Sequence, residues 1–230
     1  AFTLAASLFA ATTLSAQTPP ATNADPDMAK VLTELQSLGP KPIETLDPSD
    51  ARRQYTPADA VKKVIKDEKL DVDPHRGLSI SNSRFADMGN LRLRYYTPDD
   101  VKKDSAVPVI MYIRGGGWVI ADLDVYDATP SALARKAHAI VISVDYPMAP
   151  ENKFPAAHNE AIDAYKYIQK NAGDWGGDPT KIAIVGESAG GNMAVATAIA
   201  ARDQNLKAPA SVIAIYPVAT TSMDTPSKKE

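Results

Sequence analysis

Gly186-Glu187-Ser188-Ala189-Gly190-Gly191 sets a serine hydroxyl between two glycines at a point where the chain changes character. Lys181–Val185 before it is a short, branched apolar run that reads as a buried strand. Asn192–Ala201 after it is alanine-rich and a strong helix former. A serine at such a strand-to-helix junction has the form of a nucleophile elbow. The turn needs glycine at 186 and 190, where a Cβ would clash, and it holds Ser188 in a strained backbone conformation that lifts Oγ to the mouth of a sheet. The following helix points its N-terminus at the hydroxyl, so the Ala189 amide is aimed where an oxyanion would form.

A second motif fits the same chemistry. Val107–Ile113 is a branched apolar strand, and Arg114-Gly115-Gly116-Gly117-Trp118 follows it directly. Consecutive glycines leave backbone N–H groups uncovered and allow close approach to a ligand. Taken alone, the run reads equally well as a flexible loop. Beside an elbow, its amides read as oxyanion donors, each worth about 2.7–4 kcal/mol in a transition state.

Arg114-Gly-Gly-Gly-Trp118, Asp145-Tyr-Pro-Met-Ala-Pro-Glu151 and Gly186-Glu-Ser-Ala-Gly-Gly191, in that order, resemble the hormone-sensitive-lipase-like group of α/β-hydrolases, whose usual forms are HGGG, Y-x-L-A-P-E and GDSAGG. Phe154-Pro-Ala-Ala157 and the Gly176–Ile182 lead-in are also similar, and the resemblance covers residues 76–230. It implies a mostly parallel sheet with helices on both faces, Ser188 as nucleophile, and Gly116, Gly117 and Ala189 as oxyanion amides. It implies no cofactor and no metal. Three positions depart from the group's habit: Arg114 replaces His, Met148 replaces Leu and Glu187 replaces Asp. Arg114 is the substantial change, because a guanidinium that holds loop carbonyls also brings a permanent charge close to the site.

A neutral serine needs a base, and the base needs an orienting carboxylate. The group's chain order is Ser, acid, His, yet no histidine follows Ser188. His75, His138 and His158 all precede it and read as structural or solvated. The expectation is therefore that the sequence stops short of the triad acid, the triad His and the last strands of the sheet, and that residues 1–230 alone are inactive. Asp145 also precedes the serine, and its expected role is to accept backbone N–H bonds beneath the oxyanion loop. Trp118 is expected either to line an acyl pocket or to cover the sheet edge, and Asp122 and Asp124 to lie in a solvated turn.

The N-terminal part divides further. Residues 1–16 are apolar, uncharged and rich in Ala, Thr and Ser, ending in a small-residue site. This reads as a signal-peptide-like leader lacking its positive end, so secretion or periplasmic export is expected. The run is too short for a spanning helix, which takes about 20 apolar residues. Residues 17–26 form a polar linker, 27–75 a helical segment expected to cap the site, and 76–230 the incomplete catalytic domain. Within the cap segment, Asp27 is expected to cap a helix bearing Met28, Val31, Leu32, Leu35 and Leu38, ended by Gly39-Pro40. Residues 57–69 make a second amphipathic helix, which either touches substrate or packs its stripe on the body. Leu78–Ile80 and Leu91–Tyr96 alternate like antiparallel edge strands. From Val107 onward, strands (107–113, 140–144, 182–185, 212–216) alternate with helices (128–137, 156–171, 189–202), the signature of a parallel sheet. The last of these strands is expected to be buried.

Composition sets outer bounds. A chain of 230 residues with 44% hydrophobic content can bury one sizeable core. Formal charge −3 gives no electrostatic case for nucleic acid or an anionic membrane surface. The absence of cysteine excludes disulfides and Cys-ligated metal. The expected activity is a serine carboxylesterase acting on a small-molecule, short-acyl ester. The alternatives are an amidase or peptidase on the same scaffold, or a non-catalytic small-molecule binder, as the plant gibberellin receptors are.

Overall fold

Strand β3 (Val107–Ile113) explains the architecture around it. Val109, Met111 and Ile113 point to one side and Ile110 and Tyr112 to the other, and all five are buried. A strand apolar on both faces belongs in the middle of a sheet covered on both sides. The computed structural model describes residues 24–88, 90–222 and 224 and places β3 there. The six strands run in the order β1 (Leu78–Phe85), β2 (Leu91–Pro98), β4 (Ile140–Val144), β3, β5 (Gly177–Glu187), β6 (Ser211–Ile215). β4, β3, β5 and β6 are parallel, and β1 and β2 join antiparallel on the β4 side.

Helices cover the two faces. Ala161, Ala164, Tyr165 and Ile168 of α5 (Ala156–Asn171) and Met193, Ala194 and Ala201 of α6 (Ala189–Asp203) pack with Val109, Met111, Ile142 and Ile184. On the other face, Ala134 of α4 (Ala128–Ala137) packs with Tyr96, Ile110, Tyr112, Val141 and Val185. The α/β architecture expected from the sequence is therefore the one observed. None of the described helices is long and apolar enough to cross a membrane.

Several details differ from expectation. The leader at 1–16 and residues 17–23 of the linker lie outside the described residues, as do Met223 and 225–230 of the tail. Helix α1 (Pro26–Ser37) starts one residue before the expected cap domain; Asp25, not Asp27, caps it by accepting from the Met28 N–H at 2.9 Å. Proline tolerates the first helical position because no intrahelical bond is needed there, so the helix claims residues that composition had given to the linker. A short helix, α2 (Pro48–Ala51), has no counterpart in the sequence pattern, because four residues carry no periodicity. α3 (Pro57–Asp67) has a full capping box between Thr56 and Asp59. Lys30–Glu68 at 2.9 Å and Lys63–Glu34 at 3.3 Å link α1 and α3 to each other.

Only β1 of the antiparallel pair is an edge; β2 lies between β1 and β4, and its Leu93, Tyr95 and Tyr96 are buried accordingly. β6 is not buried. It forms the other border of the described sheet, paired with β5 alone among the described strands, with Ile213 49% and Ile215 40% exposed.

The central strands should dominate stability. Ile142→Ala, at a fully buried position, is expected to cost about 2–5 kcal/mol in urea denaturation. Val61→Ala, on the exposed side of α3, should stay within about 0.5 kcal/mol of the parent.

Candidate active site

β3 has β4 on one side and β5 on the other, so the side on which successive strands are added switches at this point. In open α/β sheets, the crevice outside the carboxyl ends of the strands at such a reversal is where ligands bind. Two segments meet there: residues 114–120 after β3, and Ser188 after β5.

Ser188 has φ 55° and ψ −119°, a conformation that an L-residue adopts only when its surroundings enforce it. The surroundings are specific. Its N–H donates to the Ile215 carbonyl at 3.0 Å, and its own carbonyl accepts from Asn192 at 3.0 Å and Val218 at 3.2 Å. A Cβ on Gly190 would overlap the Ile113 carbonyl oxygen, and one on Gly186 would lie 2.8 Å from that same atom. The serine therefore sits on a turn pressed against the end of β3. Ala189 is the first residue of α6, so its N–H has no partner within the helix.

The glycine loop lies against this turn. A Cβ on Gly115 would stand 3.4 Å from the Ser188 Cβ and 2.8 Å from the Tyr126 hydroxyl. Gly116 has φ 106°, and its carbonyl accepts from Val119 at 3.0 Å and Ile120 at 2.9 Å, which closes a tight turn. Gly117 has φ 58° with open space where a side chain would go. Among the described residues, the N–H groups of Gly116 and Gly117 donate to no protein acceptor. The structure thus brings Ser188, Ala189, Gly116 and Gly117 to one end of the sheet.

Three side chains hold the loop to the turn. Glu187, buried beside the serine, accepts from the Gly115 N–H at 2.8 Å and the Tyr112 hydroxyl at 2.9 Å. Burial raises its pKa, against the opposing pull of those two bonds and of the Arg114 charge. Tyr146 donates to the Gly115 carbonyl at 2.8 Å, and burial pushes its phenol up to about 12, so it remains a donor at ordinary pH. Arg114 is fully buried and lies over the Tyr146 ring at 4.2 Å. Its Nη1 donates to the carbonyls of Gly115 at 3.2 Å and Ile120 at 3.1 Å, so the guanidinium does hold loop carbonyls.

Asp145 does something other than expected. It forms ion pairs, with Arg92 at 2.8 Å and Arg114 at 3.6 Å, in place of the expected bonds from backbone N–H groups. The reason is Arg114 itself, whose buried charge needs a counter-ion. Asp122 and Asp124 do lie in an exposed turn: Asp122 accepts from the amides of Asp124 and Val125, and Asp124 pairs with Arg94 at 2.7 Å.

The histidines are engaged elsewhere. His75 meets Asp127 at 2.5 Å, His138 lies 3.3 Å from Asp100, and His158 meets Asn192 at 3.0 Å. His158 also stacks on Trp118, and both line a cavity of about 750 Å³ with Gly117 and Asn192. Trp118 is therefore a pocket residue. A second cavity, of about 310 Å³, separates Gly116, Tyr126 and Met148 from Ile43, Tyr55 and Pro57 of the N-terminal segment. No cluster of metal-binding side chains occurs among the described residues.

A family model described as the alpha/beta hydrolase fold matches residues 110–230. The chain belongs to the α/β-hydrolase family. Its relatives place it in the hormone-sensitive-lipase-like group. It is 38% identical over 141 residues to carboxylesterase NlhH of Mycobacterium tuberculosis, an overlap of 61% of this chain and 44% of that protein. It is 34% identical over 209 residues to ethyl acetate hydrolase of Pseudomonas putida, covering 88% and 64% respectively. Among solved structures, the ester hydrolase EH1AB1 from the metagenome of Lake Arreo, complexed with a bipyridine phosphonate derivative, superposes with a TM-score of 0.70 at 32% identity, covering 87% of this chain and 61% of that one. The chain thus spans between about half and two thirds of the length of these relatives.

Sequence reasoning passed over Glu187, Tyr112 and Tyr146 as builders of this α/β-hydrolase site. For Glu187 a signal existed, since a carboxylate next to an elbow serine cannot point to solvent without leaving the turn. Nothing local marks Tyr112, which reads as one more apolar position of β3.

Two predictions follow from this packing. Gly117→Ala should cost about 1–2 kcal/mol for its backbone conformation alone, whereas Gly116→Ala should cost more in the same thermal or urea melt, since its Cβ would displace the Ile120 carbonyl. The second concerns Glu187, whose folded-state pKa lies above its ordinary value of 4.5. Its titration favours folding at low pH, and that contribution is lost as pH rises through the raised value. Glu187→Gln still accepts both bonds and carries no charge. Its stability relative to the parent should therefore increase from pH 4 to pH 8 in matched denaturant titrations.

Proposed function

We propose that the protein is a carboxylic ester hydrolase acting through an acyl-enzyme on Ser188. The observation that carries this reading is the strained Ser188 backbone at a β5–α6 turn, faced by a glycine loop with unpaired N–H groups. Ser188 Oγ attacks the ester carbonyl carbon, and the carbonyl oxygen becomes the oxyanion received by the amides of Gly116, Gly117 and Ala189. The alcohol leaves with a proton, and water releases the acid from the acyl-serine. The amides stand ready at fixed positions, so stabilising the new charge requires no reorganisation. His75, His138 and His158 have side-chain partners in Asp127, Asp100 and Asn192, which supports a base other than these three. In the group's order it follows the serine.

A small substrate is supported by the 310 Å³ cavity beside Gly116 and by the printed name of the Pseudomonas putida relative. In this reading, residues 43–57 act as part of a cap, because Ile43, Tyr55 and Pro57 line that cavity together with Gly116.

A fluorophosphonate probe tests the assignment. Peptide mapping of the complete protein should give one adduct, on the peptide containing Ser188, and Ser188→Ala should give none. The same variant should lower kcat on p-nitrophenyl acetate on the order of 10⁶-fold. Labelling at another residue, or undiminished labelling of the variant, defeats the reading.

A further inference from the structure

We propose that Arg52 is a positioning residue for the glycine loop: its guanidinium, carried by the N-terminal segment, sets where the Gly116 and Gly117 amides point. The proposal rests on the reading of that loop as the oxyanion hole.

Arg52 follows α2 and reaches across to two segments far away in sequence. Its Nε donates to the Val119 carbonyl at 2.7 Å, and its Nη2 to the Ala149 carbonyl at 2.7 Å. Nη1 and Nη2 each donate to one carboxylate oxygen of Glu151 at 2.8 Å. All three donor nitrogens are therefore used, in the planar fork that only arginine provides.

The location of the two carbonyls gives this its meaning. Val119 and Ile120 both donate to the Gly116 carbonyl and so close the turn that contains Gly116 and Gly117. Trp118, one residue before Val119, accepts from the Ala149 N–H at 2.8 Å. Arg52 thus grips both sides of the seam between the glycine loop and residues 145–151. Arg114 holds the same turn from the inside, through Gly115 and Ile120, and Arg52 holds it from the outside, through Val119. A loop with three glycines has little stiffness of its own, so these external bonds fix its amides.

Stability alone does not account for the arrangement. Glu151 is 56% exposed, and an ion pair that open contributes little to folding. The charge-assisted bonds to Val119 and Ala149 are partly buried, so they are stronger and are spent on two loops that face the site. Glu151 fixes the plane of the guanidinium from which those bonds depart, and Arg52 in turn lowers the Glu151 pKa to about 2.

The test uses the complete protein with Arg52→Met and Arg52→Lys, and with Arg53→Met as control, since Arg53 pairs with its neighbour Asp50 on the surface. Arg52→Met should lower kcat on p-nitrophenyl acetate by about 100-fold, as a displacement of about 1 Å at the reacting centre does, with KM changed by less than about 3-fold. Amide hydrogen exchange of Val119 and Ile120 should accelerate in the same variant. Arg52→Lys, with one point donor in place of a fork, should recover only part of both effects. Arg53→Met should match the parent.

Unchanged exchange at Val119 and Ile120 in Arg52→Met overturns the proposal. So does an unchanged kcat accompanied only by a lower Tm, which is what a purely structural anchor would give. If the parent neither hydrolyses esters nor takes the Ser188 label, the esterase reading is what has failed. The exchange comparison then decides by itself whether Arg52 holds the loop.

Discussion

The approach of the α6 N-terminus to the end of β3 is the contact on which the remaining geometry depends. The Ile113 carbonyl occupies the volume that a side chain at 190 would need, and the Gly190 and Ile113 carbonyls together crowd the one at 186, so both positions must be glycine. Because the turn is pressed that close, Ser188 cannot relax out of φ 55°, and the residue before it, Glu187, is driven inward under the glycine loop. From there its carboxylate reaches the Gly115 N–H and the Tyr112 hydroxyl. One steric fact thus sets the serine conformation, the burial of an acid and the attachment of the facing loop.

Charge follows from the same crowding. Arg114 lies in a space without solvent, and a bare guanidinium there carries a large desolvation penalty. The Tyr146 ring, two loop carbonyls and Asp145 at 3.6 Å offset it. Arg92 then shares Asp145 and links this buried charge to the surface. Arg114 Nε and Nη2 form no hydrogen bond among the described residues, so the compensation is electrostatic more than geometric on that side. A cation fixed behind the loop also contributes positive potential where the oxyanion would develop.

What could be read in the sequence was whatever periodicity and turn chemistry encode locally. β3, β4, α4 and α5 appear at the expected residues, because strands buried on both faces are uniformly apolar and their helices repeat at 3.6. The elbow and the glycine loop were legible because steric demands allow few residue types there. Burial of β6 was not legible: Val212, Ile213 and Ile215 have the same composition whether covered or bare, and only their neighbours decide. The position of β2 inside the sheet was hidden for a similar reason, since Arg94 looks like a solvent-facing residue until Asp124 and Asp127 are brought beside it. Asp145 was misjudged because its partners are two arginines brought together by tertiary structure alone. Arg52 carries no sequence signal at all.

The strand order also dictates when such a site can come into being during folding. β1 and β2 adjoin in sequence and pair with little loss of chain entropy, whereas β3 must wait for β5, with β4, α4 and α5 intervening. Until that pairing forms, nothing holds Ser188 in its unfavourable backbone state, and in the open chain it occupies ordinary conformations. The backbone state of Ser188 is therefore a product of long-range closure. A partly folded chain would have most of its local structure while the turn between β5 and α6 was still unformed.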